Sequence, residues 1–121
     1  IIEQIGHGLV RLIESGNIDS TEMNQLLTEY LTPMIEANID YLVLGCSHYP
    51  YLIPQIKKIL PPHIQIIDSG EAVAKQTQNV LKEKVGLSNL TESHPVFYTN
   101  TDSKVLSDIL GNKFEVLQKD F

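Results

Sequence analysis

Gly45-Cys46-Ser47-His48 sets a thiol, a hydroxyl and an imidazole side by side behind a glycine. A thiolate can serve as a nucleophile or as the base toward a carbon acid, and an imidazole two residues away can hold or pass the proton involved. Free cysteine is also among the most buried residue types, so a small core hydrophobe is the alternative reading of Cys46. Three features favour chemistry. Cys46 follows a glycine at the end of a strand pattern, His48 lies close by, and a helix start nearby favours negative charge, which lowers thiol pKa values. A metal site would join Cys46 to His7, His48 and His63, but no C-x-x-C or H-x-x-x-H spacing supports it. His63 and His94 stand beside prolines and read as solvated surface residues.

The elements around this motif follow from composition. Tyr41 to Leu44 are apolar without helical spacing, which predicts a strand. Pro50 suits a first helical turn, and Leu52, Ile53, Ile56, Ile59 and Leu60 supply the apolar positions of a helix that ends at Pro61-Pro62. A strand that turns into a helix through a glycine is where open α/β sheets bind ligands.

Upstream, Ile1 to Glu14 reads as a strand end, a glycine loop around His7 and a short helical turn. From Ser20 a helix is well signalled. Asp19 or Ser20 can cap it, Glu22 places negative charge in its first turn, and Met23, Leu26, Leu27, Tyr30, Leu31, Met34 and Ile35 keep helical spacing. On this spacing Tyr30 reads as core. Pro33 removes a hydrogen bond at a cost of about 3 kcal/mol, so a kink or a restart is expected there. Downstream, Ile64 to Ile67 predicts a strand that reaches Asp68-Ser69-Gly70, a helix cap. A helix over about 71–84 carries Val73, Thr77, Val80 and Leu81 on one face. Gly86 to Ser93 reads as a polar, mobile loop. A strand at Val96–Thr99, a helix from Asp102 to Leu110 closed by Gly111, and a strand at Phe114–Leu117 complete the chain. Strands and helices alternate throughout, so the fold class is α/β with a mostly parallel sheet flanked by helices.

The chain has 121 residues, room for one real core, and a net charge of −6. No Lys/Arg cluster exists to neutralise phosphates, which argues against nucleic acid as a partner. The longest apolar run falls far short of the roughly 20 residues that cross a bilayer. One cysteine precludes an internal disulfide and makes a reducing, cytoplasmic setting the default. The start at Ile1, without methionine and in apolar sequence, suggests a piece of something longer.

The string Leu44-Gly45-Cys46-Ser47-His48-Tyr49-Pro50, followed by Tyr51-Leu52 and later by Ile67-Asp68-Ser69-Gly70, resembles the C-terminal half of bacterial glutamate racemase. Tyr30-Leu31-Thr32-Pro33-Met34 resembles it as well, proline included. That family usually has threonine where Ser47 stands, and serine keeps the hydroxyl. Likeness covers most of residues 1–85 and is loose beyond, where Phe97-Tyr98-Thr99 is the best remnant.

The resemblance implies a two-lobed aspartate/glutamate racemase-like fold and cofactor-independent interconversion of L- and D-glutamate for peptidoglycan, with no cofactor or metal. Residues 1–68 would then belong to the second lobe and 69–121 would return to the first, whose N-terminal part is absent. It further implies that Cys46 is the second of two cysteines facing each other across the substrate. His48 would assist its proton transfers, Ser47 and His48 would help hold the substrate, and Glu14 would orient or activate the cysteine. Glu14 reads equally well as a solvated loop carboxylate. The first cysteine is missing, so the expected state of the 121 residues alone is inactive. Implied partners are a small-molecule substrate, glutamate, and neither nucleic acid nor membrane, with self-association left open. An aspartate or hydantoin racemase, a maleate-isomerase-like protein and a non-catalytic dicarboxylate-binding module remain as alternatives.

Overall fold

The computed structural model describes residues 1–87 and 93–121. Most of the loop expected over 86–93 therefore lies outside the described residues. The chain divides into two compact units, Ile1–Asn79 and Val80–Phe121.

In the first unit, residues 1–6 form no strand, and the expected strand end is absent. A strand needs a ladder partner, and none of the described residues pairs with this stretch. Helix α1, Leu9–Glu14, starts from Gly8 at φ +81°, a left-handed conformation that glycine adopts without strain. Helix α2, Thr21–Glu36, is capped by the Ser20 hydroxyl, which accepts from Met23 N at 3.1 Å. It runs through Pro33 without a restart. The face bearing Met23, Leu27, Leu31 and Met34 is buried, and that packing offsets the hydrogen bond proline removes. Asn38, left-handed at φ 54°, then turns the chain into the next strand.

Strand β1, Tyr41–Val43, pairs in parallel with β2, Gln65–Ile67, in the register Leu42 to Ile66. Leu44 N extends the ladder by donating to Ile67 O at 2.9 Å. Between them lie a 3₁₀ turn, Tyr49–Leu52, and helix α3, Ile53–Ile59. The expected helix thus begins one turn tighter than an α-helix. Thirteen apolar residues, with Ile13, Met23 and Leu52 almost wholly enclosed, form the core between these elements. Only one side of β1 and β2 joins it. Leu42 is buried, whereas Tyr41, Val43 and Ile67 on the opposite side are 55%, 66% and 45% exposed. Parallel strands are ordinarily covered on both faces, so this side is an uncovered sheet surface.

Helix α4, Gly70–Lys84, starts where Asp68 Oδ1 accepts from Gly70 N at 2.8 Å, and it buries none of its residues. The apolar stripe expected on it is therefore present but exposed. In the second unit, strand β3, Val96–Thr99, pairs in parallel with β4, Glu115–Gln118. Helix α5, Ser103–Ile109, links them, capped by Asp102 and closed by Gly111 and Asn112 in left-handed conformations. Among the described residues the strands form two separate parallel pairs and not one sheet. Each helical crossover closes its own pair.

Candidate functional site

The turn after β1 places the sequence motif at the strand's carboxyl end. Tyr49 N donates to Cys46 O at 3.1 Å and Tyr51 N to His48 O at 3.2 Å, which curls residues 46–51 into a tight loop. Cys46 is half-buried and unbonded to another cysteine. It lines a cleft of about 660 Å³ lying wholly within the first unit. Residues 1–6, Tyr30, Met34, Tyr41, Val43 and Tyr49 contribute to its walls. Cys46 thus borders an opening and is not part of the sealed core. Among the described residues lining the cleft, Glu3 is the one charged side chain.

The imidazole of His48 lies between two oxygen-bearing side chains. Its Nε2 stands 3.2 Å from Glu14 Oε1, delivered by the last residue of α1, and its Nδ1 stands 3.4 Å from Ser47 Oγ. Glu14 and His48 are far apart in sequence, and the packing of α1 against the 3₁₀ turn brings them together. The His48 side chain is 30% exposed and that of Glu14 52%. Among the described residues no hydrogen bond joins the Cys46 thiol to the imidazole. Of the four site residues expected from sequence, Glu14, Ser47 and His48 form one connected group, and Cys46 adjoins it through the backbone. If Glu14 is ionised it accepts from Nε2–H, which leaves Nδ1 of neutral His48 as the acceptor on the Ser47 side.

Tyrosines complete the neighbourhood. The Tyr30 hydroxyl donates to His7 O at 2.9 Å, and the Tyr49 hydroxyl points to Gly6 O at 3.4 Å. Burial raises the pKa of Tyr49 above its ordinary value, and the charge of a Cys46 thiolate raises it further. Tyr30 packs on the core, as its spacing indicated, and also lines the cleft. Neither tyrosine carries a sequence signal for these contacts, although Tyr49 directly follows His48. His7, His63 and His94 are exposed. Among the described residues no three His, Cys, Asp or Glu side chains stand close enough to hold a metal, and no helix is long and apolar enough to cross a membrane.

No family model matches the chain. A glutamate racemase of Pseudomonas putida is 37% identical over 110 residues, which cover 91% of this chain and 42% of that protein. A crystal structure of a Bacillus anthracis glutamate racemase isoform superposes with a TM-score of 0.77 at 29% identity, covering 93% of this chain and 44% of the other. The glutamate racemase of Francisella tularensis, solved in complex with D-glutamate, gives a TM-score of 0.75 at 26% identity over 93% of this chain and 43% of that one. Related in sequence and in backbone over nine-tenths of its length, the chain is a homologue of the glutamate racemases and spans about two-fifths of the length of the relatives it matches.

Proposed function

We propose that this chain carries one of the two proton-transfer sites of a cofactor-independent glutamate racemase. Cys46 removes or returns the α-proton on one face of the substrate. His48 assists that transfer, Glu14 holds the imidazole, and Ser47 contacts the substrate. The observation that carries the reading is the Glu14–His48 pair beside a half-buried cysteine at a cleft, in a chain whose relatives bear the racemase name. Inverting a carbon centre needs a base on one side and a proton donor on the other, and this chain has one thiol.

The cleft supports the same division of labour. Glutamate carries two carboxylates and an ammonium, yet the described walls are mostly apolar and include no Lys or Arg. Partners for those charges and the second base belong to polypeptide that these 121 residues do not include. In this reading residues 1–68 belong to one lobe and residues 69–121 return to the other, and the product is D-glutamate for peptidoglycan in the cytoplasm.

The test is α-deuterium incorporation into L- and D-glutamate in heavy water. The chain alone is expected to show none. A chimera that joins the preceding segment of the Pseudomonas putida relative to this chain is expected to racemise glutamate and to lose that activity in Cys46→Ala. A folded chimera without exchange overturns the racemase reading, and turnover by the chain alone overturns the missing base. Exchange of aspartate in place of glutamate would assign a sister activity.

A further inference from the structure

The contact between Glu14 and His48 depends on where α1 sits, and α1 spans only Leu9–Glu14. A helix that short has little stability of its own. Its buried residues, Leu9, Leu12 and Ile13, settle which face turns inward. Apolar packing is not directional, so it leaves the helix free to shift along its axis by fractions of an ångström. Hydrogen bonds supply the direction. Both ends of α1 are held by neighbouring residues of one turn: Tyr49 Oη faces Gly6 O just ahead of the helix, and His48 Nε2 meets Glu14 Oε1 at its end. The Tyr49 contact is long at 3.4 Å, and the 2.9 Å bond from Tyr30 Oη to His7 O is the firmer hold. Gly6 shows how close the approach is, since a Cβ there would lie 2.5 Å from Tyr49 Oη and 2.6 Å from Leu9 Cδ1.

We propose that Tyr30 and Tyr49 are positioning residues that pin Gly6–His7, so that Glu14 reaches His48 and fixes which ring nitrogen carries the proton. The inference rests on the roles given above to Glu14 and His48. The clamp acts through α1: hydroxyl to carbonyl at its start, carboxylate to imidazole at its end. With the start pinned, Nε2 of neutral His48 carries the hydrogen and Nδ1 remains an acceptor beside Ser47. With the start loose, Glu14 draws away and the two tautomers mix.

Nitrogen-15 NMR of histidine-labelled chain, above the pH range in which imidazole titrates, reads the tautomer directly. The His48 signals are those lost in His48→Gln, and the exposed His63 serves as internal control. The wild-type chain is expected to show mainly the Nε2–H form, and Glu14→Ala a mixture. Tyr30→Phe and Tyr49→Phe are each expected to move at least half-way to the Glu14→Ala mixture. Tyr51→Phe, on the same turn, is expected to leave the tautomer unchanged. Folded Phe variants with a wild-type His48 spectrum overturn the proposal, as does a Glu14→Ala spectrum identical to wild type. Unfolding of both Phe variants overturns it too, because the hydroxyls would then be holding the fold at large. No substrate enters the measurement, so glutamate exchange can fail while this signature stands, and the reverse.

Discussion

Glu14 Oε1 and His48 Nε2 stand 3.2 Å apart, joined by the docking of α1 on the turn that follows β1. Both side chains are partly exposed, so water screens the pair and its worth to stability is about 0–1 kcal/mol. Glu14→Gln is therefore expected to leave thermal unfolding almost unchanged. In the racemase-length chimera the same substitution is expected to slow α-deuterium exchange on the order of 10²-fold, the scale of general acid–base assistance. A large loss of stability with unchanged exchange would make the pair structural only.

Tyr49 supplies a dependence on pH. Its phenol is harder to ionise in the fold than outside it, first because it is partly buried and second because a thiolate at Cys46 lies near. The unfolded chain releases this proton near pH 10 and the folded chain later. Stability is thus complete below that pH and declines as pH rises toward the folded value. Phenolate absorbance should show Tyr49 titrating late. In Cys46→Ser that tyrosine is expected to titrate earlier, yet still above the ordinary value, since burial remains.

Core and surface should separate cleanly in denaturation followed by tyrosine fluorescence, which tryptophan does not overlay in this chain. Leu52 is fully enclosed, and Leu52→Ala is expected to cost about 2–5 kcal/mol. Leu81 on α4 is 40% exposed, and Leu81→Ala is expected to change stability by less than about 0.5 kcal/mol.

The open side of the β1–β2 pair makes a solubility expectation. Val43→Lys and Ile67→Lys place charges on an uncovered apolar sheet surface. Light scattering at high protein concentration is expected to fall in both, with stability kept within about 1 kcal/mol. Leu42→Lys, one residue away on the buried side, is expected to prevent folding.

Much of this was legible in the residues. The Ser20 cap, the apolar run from Tyr41, the Asp68 turn and the Gly111 closure are local signals, each set by a few neighbouring side chains, and each lies where the spacing indicated. The Cys46–His48 motif reads for the same reason. Relationships across the chain were harder. A family likeness pointed to Glu14, and its contact with the imidazole was not legible because it depends on how α1 docks. Pro33 carried a local penalty that burial of the surrounding helix face overrode. A mostly parallel α/β arrangement was legible in the alternating elements, whereas the division of the described strands into two pairs was not, because ladder partners are chosen by tertiary placement and not by the strands' own composition.

Both strands of the first pair, and the turn with Cys46 between them, are contiguous in sequence and precede β3. β2 ends at Ile67 and β3 begins at Val96, so every residue that the first ladder needs is made before any residue of β3. The strands that hold the turn with the thiol and its imidazole neighbour therefore pair with each other and need no later strand for their ladder.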